Sequence, residues 1–143
     1  MNRCIGLAAL LIAMVAFSGI ALAEKEEMIL RDGTTGYANV LETKADSVKI
    51  AFKKDGADVS LVLKADKIDP HCFYTIRNKH MERTAANHFA LGIYCAENGL
   101  SNRAKHQIDV AKSIDSEYVE KQKAIPGLRE GVARKVLARA VVD

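Results

Sequence analysis

Two periodicities divide this chain. From Met28 to Asp69 apolar and polar residues alternate. "SVKIAF" sets Val48, Ile50 and Phe52 against Lys49, Ala51 and Lys53, and "DVSLVLK" sets Val59, Leu61 and Leu63 against Ser60, Val62 and Lys64. A period of two is that of a half-buried strand. Asp55-Gly56 falls between these runs, where a tight hairpin needs positive φ. Asp32-Gly33 stands likewise between "MILR" and "GYANVLE", and Ala45-Asp46 supplies a third turn. The pattern predicts four short strands in consecutive hairpins. Such a meander must curl or be capped, because so small an open sheet is marginal alone.

From Asp69 onward the period lengthens to that of a helix. Asp69 is a good N-cap and Pro70 a good first helical residue, which predicts a helix from Pro70 to about Met81. Thr84 caps a second helix ending at Asn98-Gly99, and Ser101 caps a third running to about Ile114. The tail from Ser116 to Ala140 reads as helical too, interrupted at Pro126-Gly127, where proline removes a donor. Strands followed by helices give an α+β class rather than an alternating α/β one.

The helical stripes are specific between residues 85 and 118. His88, Leu91 and Cys95 recur at i, i+3 and i+7, with Phe89, Gly92 and Ala96 beside them. Leu100, Ala104, Ile108 and Ala111 recur at i, i+4, i+8 and i+11. Small Gly92 and Ala104 allow close approach, and Gly99 ends the first helix before a reversal. This is the pattern of an antiparallel helical hairpin. With Leu91-Gly92, Gly99, Ala104 and Ala111 at the expected spacing, the stretch resembles a single tetratricopeptide-type repeat. It departs from that pattern at His88, Cys95 and Ser116, where tryptophan, tyrosine and proline are usual. No second copy follows, so the unit must be covered by its neighbours.

The strand region, "MILRDGTTGYANVLETKADSVKIAF", resembles a small Sm-like barrel. The combination resembles exported bacterial proteins of uncharacterised function in which such a barrel precedes an "HF-x-L…C-x-x-x-GL…A" hairpin. The resemblance implies a packing or interaction module and supplies no catalytic residues.

The N-terminus determines the expected destination. Arg3 precedes an apolar run from Ile5 to Phe17, and Ala21-Leu22-Ala23 has the small-x-small form accepted by signal peptidase. A transmembrane anchor of about 20 residues is the alternative, but the small-residue exit and the switch to Glu24-Lys25-Glu26-Glu27 favour a signal peptide over residues 1–23, cut after Ala23. The expected product is periplasmic or secreted. It has a β-meander domain over 24–69, a helical domain over 70–143 and no membrane span. Cleavage removes one of the 21 basic residues and none of the 18 acidic ones. So balanced a charge does not suggest nucleic acid or an anionic membrane as partner.

Cys72 and Cys95 survive cleavage. In an exported chain they are open to a disulfide, and two separate buried thiols are the alternative. His71, Cys72, His80, His88 and Cys95 include zinc-ligand types but lack ligand spacing, so neither metal nor cofactor is expected. Ser101, His106 and Asp109 lack a nucleophile elbow, and Gly33-x-x-Gly36 is too short for a phosphate loop. The sequence therefore reads as a non-enzymatic protein-binding or scaffold module with another envelope or secreted protein as partner. Asn87, Tyr94, Arg103 and Gln107 are the candidate binding residues, placed on the hairpin's open face. The rival is a small redox or metal-binding envelope protein using Cys72, Cys95 and His88; exposure separates the two, because a functional thiol must be reachable.

Overall fold

The computed structural model describes residues 24–125. The signal-peptide reading of residues 1–23 and the break at Pro126-Gly127 with the helix beyond it lie outside the described residues. Four strands, β1 (Lys25–Ile29), β2 (Thr35–Thr43), β3 (Ser47–Lys54) and β4 (Ala57–Lys64), precede four helices, α1 (Pro70–His80), α2 (Ala85–Glu97), α3 (Ser101–Ile114) and α4 (Ser116–Lys123). The class is α+β, as the change of period predicts.

The strands form an antiparallel sheet in the order β1-β2-β3-β4. Asp55 and Gly56 both have positive φ, 52° and 80°, the turn that a two-residue hairpin requires. That turn sets the register of β3 on β4, bringing Val48 opposite Leu63, Ile50 opposite Leu61 and Phe52 opposite Val59. The alternating residues of the two runs thus become one apolar face. β2 carries a bulge between Val40 and Glu42. The first strand starts earlier than its pattern predicts, at Lys25 rather than Met28, because its partly buried Glu26 meets Lys79 and His80 of α1. The sheet is open, and β1 and β4 do not pair. A bridge from Leu30 to Ile68 ties the end of β1 to the segment after β4.

α1 caps the sheet. Asp69 accepts from the amides of His71 and Cys72 at 3.0 and 3.1 Å, and Pro70 fills the first helical position. Cys72, Phe73 and Ile76 then turn onto Met28, Ala38, Val48, Ile50 and Ile68 in one buried cluster.

The hairpin of α2 and α3 is the closest helix pair. Thr84 Oγ1 accepts from the amide of Asn87. At the far end Leu100 N donates to Cys95 O at 2.8 Å and Gly99 N to Ala96 O at 3.4 Å, with Gly99 at φ 76°. These are the two bonds of a Schellman reversal. It leaves Leu100, not Ser101, at the cap of α3; Ser101 is already helical and its side chain caps nothing. α4 follows with Asp115 as its cap and packs Val119 and Tyr118 on Phe89 and Ile108. Among the described residues no helix is long and apolar enough to cross a membrane.

Candidate functional site

The face of the hairpin expected to be open is the one that α1 covers. Tyr94 packs its ring on Phe73, centroids 4.5 Å apart, and its hydroxyl is buried. Burial raises the pKa of that phenol, and the nearby Arg31 guanidinium offsets part of the rise. Arg103 stacks over Tyr74, 4.4 Å from the ring centre. Gln107 is wholly buried. Its Nε2 donates to Tyr74 Oη and Asn78 Oδ1, both at 3.0 Å. Its carbonyl oxygen therefore faces His88 Nδ1 at 2.6 Å, and the ring nitrogen must carry a hydrogen to donate. His88 is thus held in a polar seam between α1, α2 and α3. Gln107 is an interior contact, Tyr94 and Arg103 are partly buried against α1, and Asn87 lines an open cavity.

The cysteines are free thiols in separate clusters rather than a bridge. Cys72 faces the sheet, where its sulfur accepts from the amide of Ile29 at 3.3 Å. Cys95 faces the other way, onto Leu91, Ala96 and Ala104, and is fully buried. The two thiols pack into different clusters, which linear spacing does not reveal. Burial raises the pKa of the Cys72 thiol and pushes that of Cys95 up to about 12. Both are protonated at neutral pH and poor nucleophiles. Among the described residues no group of three or more His, Cys, Asp and Glu side chains is placed to hold a metal ion.

The cavity that Asn87 lines is a groove of about 550 Å³ between the β2–β3 hairpin and helices α1 and α2. Leu41, Glu42, Thr43, Lys44 and Ala45 form one wall; Arg77, His80 and Met81 line the α1 side, Glu82 the connection, and Ala86, Asn87 and Ala90 the α2 side. The bulge in β2 helps make the groove by turning Leu41 outward, 53 % exposed.

Arg77 is the unusual member, because it is only 3 % exposed and pairs with no carboxylate among the described residues. Its Nη2 donates to Asn87 Oδ1 at 3.2 Å, and its Nε is buried without a partner. Asn87 is fixed in turn by donating to the Glu82 carbonyl at 2.9 Å. Burial lowers the pKa of Arg77, and Asp46 offsets this only through space. Lys44 of the lining is engaged, 3.6 Å from Glu42, and His80 Nε2 lies 3.0 Å from Glu26. A second hollow, of about 260 Å³, opens among the apolar residues of the sheet, including Leu30, Phe52, Leu61 and Leu63.

The sequence reading did not single out Arg77. A signal was present: four residues after Phe73 and next to Ile76, Arg77 continues the apolar stripe of α1, where a charge needs a reason. No known protein family, curated protein or solved structure matches this chain.

Proposed function

We propose that this protein is an exported, non-enzymatic binding module that receives a segment of another protein in the groove between the β2–β3 hairpin and α1–α2. One observation carries the reading: the groove of about 550 Å³ is lined by a buried arginine that forms no ion pair among the described residues. A buried charge costs folding free energy unless it is paired, and retaining one beside an open cavity is the mark of a site completed by something else.

The close Gly92 approach and the Schellman turn support reading α2–α3 as a tetratricopeptide-like hairpin, flanked by α1 and α4 in place of further repeats. The Leu30–Ile68 bridge supports an Sm-like reading of the sheet. The redox and metal reading has less support, since neither thiol is reachable and His88 is tied to Gln107.

The test is photo-crosslinking in the cell that makes the protein, with the photoreactive residue at Ala86 in the groove or at exposed Ser113 on α3. The reading expects an adduct to one discrete protein from position 86 and not from position 113. Absence of an adduct at 86, or equal labelling from both positions, would overturn it.

A further inference from the structure

Building on the groove reading, we propose that the bound segment carries one acidic side chain, aspartate or glutamate, flanked by apolar residues, and that its carboxylate pairs with Arg77.

The charge balance of the walls selects this chemistry. Lys44 is matched by Glu42, Glu26 beside His80 is paired with Lys79, and Glu82 adds a negative charge at the connection. Arg77 forms no ion pair among the described residues; Asp46 acts on it only through space, and it stands among carboxylates. That field suits a monoanion and opposes a phosphorylated residue, which brings about −1.5 to −2 charge close to Glu42 and Glu82.

The geometry of Arg77 points the same way. Its Nη2 is held by Asn87, which fixes the guanidinium plane, and its Nε–H is unused. A planar, pre-oriented guanidinium with a spare donor matches the two oxygens of a carboxylate. Pairing would neutralise a desolvated charge, which is costly in a buried site.

The apolar flanks are matched by the apolar members of a mixed lining. Leu41 stands out from β2, Met81 closes α1, and Ala86 and Ala90 give α2 a shallow apolar side. The groove opens to solvent, so a segment can enter it with one side chain directed at Arg77. Asn87 is a positioning residue here, because it acts through Arg77.

The experiment follows the backbone amide signals of Ala86, Asn87 and Ala90 by NMR while short peptides are added. The probe is acetyl-Ala-Val-Glu-Leu-Ala-amide. Its comparisons are the glutamine analogue, the phosphoserine analogue and the glutamine analogue with a free C-terminal carboxylate. The glutamate peptide should move the groove amides and bind about tenfold or more tightly than the glutamine peptide, the range expected for a hydrogen-bonded charge. Arg77→Met should remove that preference, leaving the glutamate and glutamine peptides alike.

Equal binding of both peptides to the wild-type protein, tighter binding of the phosphoserine peptide, or a response to the free C-terminus alone would each overturn the carboxylate assignment. Those results need no variant, so a poorly folded R77M does not shelter the idea. No shift with any peptide would also overturn it. The groove reading would meanwhile be decided separately, by the crosslink from position 86.

Discussion

Gly92 of α2 lies so close to Ile108 of α3 that a Cβ built on the glycine would sit 2.7 Å from Ile108 Cδ1 and 3.3 Å from the Ala104 carbonyl oxygen. The isoleucine tip can yield, but the backbone oxygen cannot. Glycine is therefore required by packing, not by φ.

Gly92→Ala should lower stability. Overpacking costs about 1–3 kcal/mol, and the better helix propensity of alanine returns about 1 kcal/mol, so the net loss is about 1 kcal/mol. Urea unfolding measures it. Ile108→Val removes the nearest atom and should cost less in the Gly92→Ala background than alone; additive effects would contradict the contact.

The seam of His88, Gln107, Tyr74 and Asn78 makes a second prediction. Gln107→Leu leaves His88 Nδ1 and the Tyr74 hydroxyl without their partner in a buried site, and should cost about 2 kcal/mol. The double variant His88→Leu with Gln107→Leu removes both ends of the shortest bond and should lose less than the two single losses combined. Denaturant midpoints of the four proteins form the cycle.

The thiols predict reactivity and an alkaline limit. At neutral pH iodoacetamide should label neither cysteine in the folded chain on the timescale that labels both in urea. The folded-state pKa of Cys95, about 12, lies above its ordinary value of 9.0. A raised pKa means the folded protein holds the proton longer, so its contribution is complete below about pH 9 and is lost as pH climbs toward about 12. Cys95→Ala should therefore flatten the fall in stability across that window, whatever it does to the absolute value. Rapid labelling of Cys95 in the folded protein at neutral pH would contradict its burial.

Much of this fold is local in origin and legible for that reason. Asp55-Gly56, the cap at Asp69 with Pro70, and Gly99 each act within a few residues, and each makes the turn, start or stop expected of it. Positions set by distant parts of the chain were harder to read. Asn87, Tyr94, Arg103 and Gln107 share a helical surface, but the pattern of the hairpin does not say that α1 lies over it. Cys72 and Cys95 do not meet, because α1 turns its cysteine to the sheet and α2 turns its own to α3. Arg77 was hidden by a sound rule, that arginine stays in water, at a place where the fold breaks it.

The most direct test of the account is the stability of Arg77→Met, read by urea unfolding without any partner. If Arg77 is buried for a ligand, methionine keeps the packing of the stem and removes an uncompensated charge. The account predicts a protein as stable as the wild type or up to about 2 kcal/mol more stable, even after losing the hydrogen bond to Asn87. A loss of about 3 kcal/mol or more, the range for breaking a buried pair, would show that Arg77 serves the fold and contradict the binding groove.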